Sequence, residues 1–483
     1  MESSVMGIKA DWLRLWLMFA AFVCWECVIA LPADSVARVL SAAEFIEVVK
    51  QYHPVARQAA LIPEQAKADL LIAHGGWDPK IYSDYNNKTF DGTNYFSYFE
   101  NKIAIPVWYG IEVKAGYDFA YGNYLNRESK LPSDGQGYLG ISVPLGKNLI
   151  IDRQRAALKQ AQIFRESSEQ QRLVMLNDLL ADAFKAYYDW SYAYSEYLIF
   201  SEATKIAAVR YSATVQSALL GDRAAIDTIE ALTQLQSRQF QLNDSRLKWL
   251  NTGLELSNYL WLDNNMPRPF DTTLIPAPLT SEFVFKQVQM SKLDELLFQL
   301  RMSHPALLYY NYKLKQLDVE RKLKIENLKP TLNVNYNILS ERFNFQSTAG
   351  IIFSNSYKFG LNFAMPLTFM QGRGELKLNK LKIQDTKYAI DYKQQELVSK
   401  LKSYFNELIN LQQQTRLYSE SVKGFKTLFD GESTRLSNGE SSLFLVNARE
   451  NRYLESLIKL SELQAKYYKT EASLKWAVGD IAK

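Results

Sequence analysis

Cysteine is nearly missing from this chain. Of 483 residues only Cys24 and Cys27 are cysteines, and both lie in a stretch that reads as a leader, so a processed chain would have neither a disulfide nor a thiolate ligand. Histidine is almost as scarce, at three. His53 and His304 each precede a proline, which suits a turn or cap, and His74 precedes Gly75-Gly76 at a helix end. No spacing of histidines and carboxylates marks a metal centre. No convergent reactive set marks an enzyme, so no catalytic residue and no cofactor is expected. An excess of one charge sign is missing too: 56 basic residues face 52 acidic ones, for a net charge of +4. Both signs mix along the same segments, which argues against a nucleic-acid interface. Proline and glycine are sparse, at 14 and 21, and nothing reads as disordered. Beyond the N-terminus no run approaches the roughly 20 apolar residues of a membrane helix. An exported chain of this kind is either soluble or crosses a membrane only as a barrel.

Export itself is legible. Lys9 and Arg14 precede the apolar run Leu15 to Cys24, and small residues at Ala30 and Ala33 offer a cleavage point. Residues 1–33 therefore read as a signal peptide. Asp11, Arg14 and Glu26 leave the uncharged core too short for a comfortable anchor.

What the chain does have is strict alternation. In Thr331 to Ile338, Leu332, Val334, Tyr336 and Ile338 oppose Thr331, Asn333, Asn335 and Asn337. In Tyr357 to Met365, Tyr357, Phe359, Leu361, Phe363 and Met365 oppose Lys358, Gly360, Asn362 and Ala364. Strand side chains point to opposite faces with period two, so each segment has one apolar and one wet wall. A soluble sandwich shares that period. Aromatic weighting against a wall of amides and small residues suits lipid outside and water inside.

The arrangement occurs twice. His53-Pro54 and His304-Pro305 each follow a helical run, starting near Val39 and near Glu282, and each leads into about 25 more residues of helical pattern, kinked in the first copy at Pro63. Strands come next, best seen in the first copy at Ile111 to Tyr121 and Tyr138 to Val143. They end in Val143-Pro144-Leu145 and Met365-Pro366-Leu367, where proline removes a ladder donor. Long proline-free helices follow, from about Asp152 to Ala218 and Gly374 to Thr434, on the order of 90 Å each at 1.5 Å per residue. They break at Gly221 and Gly439, and helices run back. The expected organisation is a first repeat over 34–262, a Pro-rich linker over 263–281 with Pro267, Pro269, Pro276 and Pro278, and a second repeat over 282–483.

Residues 79–105 carry the Asp91-Gly92 turn signal with weak alternation, and read either as a further barrel hairpin or as a ribbon at the rim. Without them there are about four strands per chain, too few to close, so strands must be pooled among copies; three copies would give about 12, or about 18 with the doubtful hairpin. On the last helix Leu443, Val446, Tyr453, Leu457, Leu460, Tyr467 and Leu474 form a coiled-coil seam. Glu450, Gln464 and Glu471 interrupt it, as expected of an interface that is not fully dry. Gly372-Arg373-Gly374 lacks the Lys-Ser/Thr of a phosphate loop and is assigned to the strand-helix junction. Tyr187, Tyr188, Trp190, Tyr192 and Tyr194 are expected to pack helices.

On these features the chain resembles the TolC-type outer membrane efflux proteins. Gly221-Asp222-Arg223-Ala224-Ala225-Ile226-Asp227 and Asn438-Gly439-Glu440-Ser441-Ser442-Leu443 look like the family's two periplasmic-tip turns, and the Pro-Leu phrases like its strand-to-helix junctions. The resemblance implies an α+β membrane protein: a homotrimer whose transmembrane β-barrel, set in outer-membrane lipid, continues as an antiparallel α-helical coiled-coil tunnel through the periplasm. It implies docking on a periplasmic adaptor coupled to an inner-membrane pump, through tips at Leu220, Gly221, Asp222, Asn438, Gly439 and Glu440. Drug efflux, metal-ion efflux and protein export, as in type I secretion, share this scaffold. The family's acidic constriction falls here at Leu445 and Ala448, so that ring is missing. Asp227 and Glu230, three apart on one helical face, are the substitute candidates. A structural or adhesive outer-membrane surface protein is the rival reading. It puts the helices outside the cell, whereas long helices directly after both strand pairs put them in the periplasm.

Overall fold

The structure, a computed structural model, describes residues 38–279, 292–341 and 356–482. The leader with its two cysteines, the start of the second repeat's first helix and the tip of its strand hairpin lie outside those residues.

Strand β1 (Arg38–Leu40) is the first described element, so Val39 sits in a strand just before the first described helix. Helices α1 (Ala42–Tyr52) and α2 (Pro54–His74) follow, and α2 runs through Pro63 as one element. Four strands come next: β2 (Lys80–Phe90), β3 (Thr93–Pro106), β4 (Glu112–Tyr121) and β5 (Gln136–Pro144). The hairpin α3 (Arg153–Leu219) and α4 (Ala225–Ser257) completes the first half. Short β6 (Leu274–Pro276) leads to α5 (Lys292–Ser303), α6 (Pro305–Glu326), β7 (Thr331–Ser340), β8 (Tyr357–Ala364), α7 (Met370–Ser437) and α8 (Leu443–Val478). Gly372-Arg373-Gly374 is the first turn of α7. Among the described residues the second half thus repeats the first with one strand hairpin fewer.

Two of the three histidines, His53 and His304, cap helix N-termini. His53 Nδ1 accepts from Val55 N–H and His304 Nδ1 from Ala306 N–H, both at 3.2 Å, with the following proline in the first helical turn. Proline there forfeits nothing, because the first-turn N–H groups have no helical partner. The two positions do the same work in the two halves.

Strands β2, β3, β4, β5, β7 and β8 form one antiparallel sheet in that order. The β5–β7 ladder, Gly137 opposite Ser340 through Pro144 opposite Asn333, joins the halves. Four strands were expected in this wall and six are present among the described residues. The pair over 80–106 has its turn at Asp91-Gly92, both at positive φ, and β3 pairs with β4 from Ser97 opposite Tyr121 to Pro106 opposite Glu112. Its alternation is weak in sequence because the apolar wall carries Ser83, Asn87, Ser97 and Asn101, which bond one another across strands: Ser83 Oγ to Asn101 Oδ1 at 2.8 Å and Asn87 Nδ2 to Ser97 Oγ at 2.6 Å.

The helices are long for a simple reason: α3 has 67 residues and α7 has 68, about 100 Å each. Residues 153–219 contain neither proline nor glycine. Each of these two helices packs along α4 or α8 toward one end and along α2 or α6 toward the other. Around the middle, a collar of buried aromatics holds α1, α3, α4 and the inter-repeat segment together. Trp190 is sealed edge-on against Phe270, Tyr187 stacks on Phe45 and donates to the Leu40 carbonyl, and Tyr188 stacks on Tyr468. The described part of the linker is pinned here, β6 pairing in parallel with β1. Among the described residues no helix is long and apolar enough to cross a membrane.

Candidate functional site

Three regions concentrate exposed apolar surface or buried charge: the strand wall, the joint below it and the two helical tips.

The register sorts most of the wall's side chains by polarity onto two faces. Glu100, Asp118, Lys102, Lys114, Tyr138, Asn335, Asn337 and Lys358 fall on one face. Ile103, Ala115, Leu139, Ile338 and Tyr357 share a rung of the other face, and Tyr336 lies opposite Phe359. That second face is open: Ile81 is 79% exposed and Phe363 64%. Apolar side chains presented on this scale are a membrane surface rather than a core. Trp77 stacks on Trp108 at the helix-proximal edge, and Tyr95 packs at a tilt against Tyr124 at the far edge, which places aromatic rings at both rims.

At the joint, Asp152 caps α3 by accepting from Arg155 N–H at 2.7 Å, and Arg155 Nε returns to the same carboxylate at 2.8 Å. The guanidinium also donates to the carbonyls of Asn148, Leu149 and Ile150. Glu326, at the end of α6, accepts from Ile150 N–H at 3.1 Å and pairs with Lys329. Sheet and helix are therefore locked across the two halves by buried, fully partnered charges. The sequence reading missed this joint; Asp and Arg three apart just past Pro144-Leu145 was the available signal.

The tips have one backbone. Leu220 N–H bonds Gln216 O, Gly221 N–H bonds Ala218 O and Asp222 N–H bonds Ser217 O; Asn438, Gly439 and Glu440 bond Thr434, Leu436 and Arg435 at the same offsets. This six-to-one closure needs a left-handed residue, and Gly221 and Gly439 have φ of 83° and 78°. A Cβ on either would meet nothing within 4 Å, so the backbone angle alone calls for glycine. Leu220 is 78% exposed, and Leu219, Ile226, Phe444 and Leu445 are exposed as well.

Asp227 and Glu230 are not free carboxylates. Asp227 lies 3.8 Å from Arg223 Nη1, and Glu230 Oε1 accepts from Asn447 Nδ2 at 3.1 Å. Leu445 and Ala448 are exposed on α8.

Glu450 corrects an expectation. Read as a wet interruption of the α8 seam, it is only 2% exposed and lies in a dry charge cluster. Arg210 from α3 donates to it at 2.7 Å and to Asn447 Oδ1 at 3.0 Å. Arg238 from α4 lies 4.0 Å away and also donates to Asn451. Burial pulls the Arg238 guanidinium below its ordinary range and nearby Glu450 opposes that pull. Gln464 is also buried, whereas Glu471 is half-exposed and paired with Lys475. Partners more than 200 residues apart explain why the cluster was not legible in sequence.

With this geometry in hand, the comparisons with known proteins agree. Residues 296–480 match the family described as outer membrane efflux protein. No curated protein sequence matches the chain. Among solved structures it is similar to the open-state MtrE outer membrane channel of Neisseria gonorrhoeae, at 16% identity and a TM-score of 0.66 over 92% of this chain and 89% of that one. It is also similar to the Campylobacter jejuni CmeC outer membrane channel, at 14% and 0.63 over 91% and 86%. Against VceC of Vibrio cholerae the values are 13% and 0.61 over 91% and 96%. At these identities the likeness shows the fold. Together, wall, helices and family match define an outer-membrane channel class, a passive exit duct and not an enzyme, with its helices in the periplasm. Residues 296–480 carry the family match itself, and over the described chain the fold is that of the TolC-type outer membrane channels.

Proposed function

We propose that three copies of this chain form one duct that receives substrates from a periplasmic adaptor and an inner-membrane pump, and that the pump supplies the energy. The observation that carries this reading is the pair of tips: two turns of identical backbone at the ends of helices about 100 Å long, with large apolar side chains presented to solvent. Leu220, Gly221 and Asp222, with Asn438, Gly439 and Glu440, are the docking surface. Exposed aliphatic groups on a rigid turn suit a helical partner, which buries them without reordering the turn. A photo-crosslinking residue placed at Leu220 or Glu440 in cells is expected to capture a periplasmic adaptor subunit. Capture only of extracellular proteins would favour the adhesive alternative instead.

Asp227 and Glu230 recur around the threefold axis in this assembly and bias the entrance toward cations. Their partners Arg223 and Asn447 hold the side chains in place, and Arg223 offsets part of the charge. Single-channel recordings of Asp227→Ala/Glu230→Ala should lose cation preference; unchanged selectivity removes the ring. Cleavage after residue 33 completes the reading, and N-terminal sequencing of the membrane-extracted protein checks it.

A further inference from the structure

Among the described residues the sheet of one chain has two open edges, β2 and β8, each with a single neighbour. Six strands cannot close on themselves, since about eight are needed to enclose even side chains. In lipid an open edge is not tolerated, because its N–H and C=O groups have no water to bond. Something must cover both edges. Strand β2 leaves the helical end and β8 returns to it, so β8 of one copy meets β2 of the next in the antiparallel sense of every other ladder in the sheet.

The register supports the same closure. One rung runs Lys80, Ala104, Lys114, Gly140, Asn337, Lys358 across all six strands. It starts at the first residue of β2, yet reaches β8 with residues 359–364 still to run toward the helices. The helix-proximal ends therefore climb about 1.2 residues per strand. With a rise of about 3.3 Å per residue and a spacing of about 4.8 Å, that stagger is a tilt of about 40°, inside the range of closed membrane barrels. The two strands of the first hairpin have 11 and 14 residues, enough to span at that tilt. Their faces also continue the wall: Lys80, Tyr82 and Asp84 align with Ala104, Lys102 and Glu100, and Ile81 and Tyr85 with Ile103 and Phe99.

We infer that the seam between copies runs along β8 of one chain and β2 of the next, so the 80–106 hairpin is barrel wall rather than a ribbon at the rim. Resting on the trimeric reading above, this gives a barrel of about 18 strands, roughly 35 Å across at the backbone.

Paired cysteines test the seam in the full-length protein, expressed in outer membranes with Cys24→Ser and Cys27→Ser. Bringing the helix-proximal ends of β8 and β2 level sets Asn362 beside Tyr82, both on the wet face. Oxidation with copper-phenanthroline of the Tyr82→Cys/Asn362→Cys variant should give covalent dimers and trimers on denaturing gels. The Lys114→Cys/Asn362→Cys variant, which reports a seam of β8 against β4, should stay monomeric on the same gels. Crosslinking of the second pair, or of neither pair in a protein that still purifies as a trimer, overturns the seam and leaves the duct reading standing. A monomer in detergent that crosslinks in neither pair removes both.

Discussion

The two helical tips are the same turn with different support. Both close with the same three backbone bonds around a glycine near φ +80°. Beneath the second, Glu432 is bonded within its own hairpin, accepting from Ser441 Oγ at 2.5 Å and lying 3.7 Å from Arg435. Beneath the first, the helices are braced to the other half of the chain: Arg210 and Arg238 converge on Glu450 of α8, and Glu230 holds Asn447. Local chemistry thus shapes each turn, while long-range charge fixes where the first hairpin lies against the second. The comparison teaches that tip geometry and tip position are separate properties.

The brace should give the largest effect. Glu450→Ala leaves the buried Arg238 and the part-buried Arg210 without their shared carboxylate and is expected to cost about 3–5 kcal/mol, as broken buried pairs do. Glu432→Ala should cost about 1.5–3 kcal/mol, the value of hydrogen bonds to a charged group. Thermal melts of the helical signal check the order; equal losses would erase the distinction between the tips. Gly221→Ala and Gly439→Ala come next, at about 1–2 kcal/mol each, because the penalty is the left-handed backbone and no atom crowds either Cβ. Unequal costs would show that one turn is held by more than its angle.

The histidine caps give a smaller effect, about 1 kcal/mol for His53→Ala or His304→Ala. His53 adds a pH dependence. Burial is the larger influence on its pKa and lowers it from 6.5, and only the neutral ring can accept from Val55 N–H. The cap's stabilisation is therefore fully present above the unfolded value and lost as pH falls through the lower folded value. Melting temperature should fall with pH in that window, and less so in His53→Asn, whose cap does not titrate there. Smallest of all is Asp227→Asn, whose part-exposed pairing with Arg223 is worth about 0–1 kcal/mol; a larger loss in the same melts would mean that the first tip depends on this pair.

Legibility followed the range of the interaction. The alternating wall at 331–338 and 357–365, the paired His-Pro sites and the two tip glycines could be read because each is a local rule of period, cap or backbone angle. The 80–106 hairpin was ambiguous because Ser83, Asn87, Ser97 and Asn101 satisfy one another only across strands, and a single strand's pattern does not display that. Glu450 was misread because an isolated carboxylate in a seam looks wet until its arginines, on other helices, are known.

By itself the amino-acid order determined the two-faced strands, the length of the helices and the places where they turn, since each depends on residues within a few positions of one another. Only the tertiary structure decided that six strands share one sheet, that the joint below it is clamped by Arg155 and Glu326, and that Glu450 is paired and dry. Those outcomes depend on which distant groups meet out of water, where an unpartnered charge or backbone amide is too costly to persist.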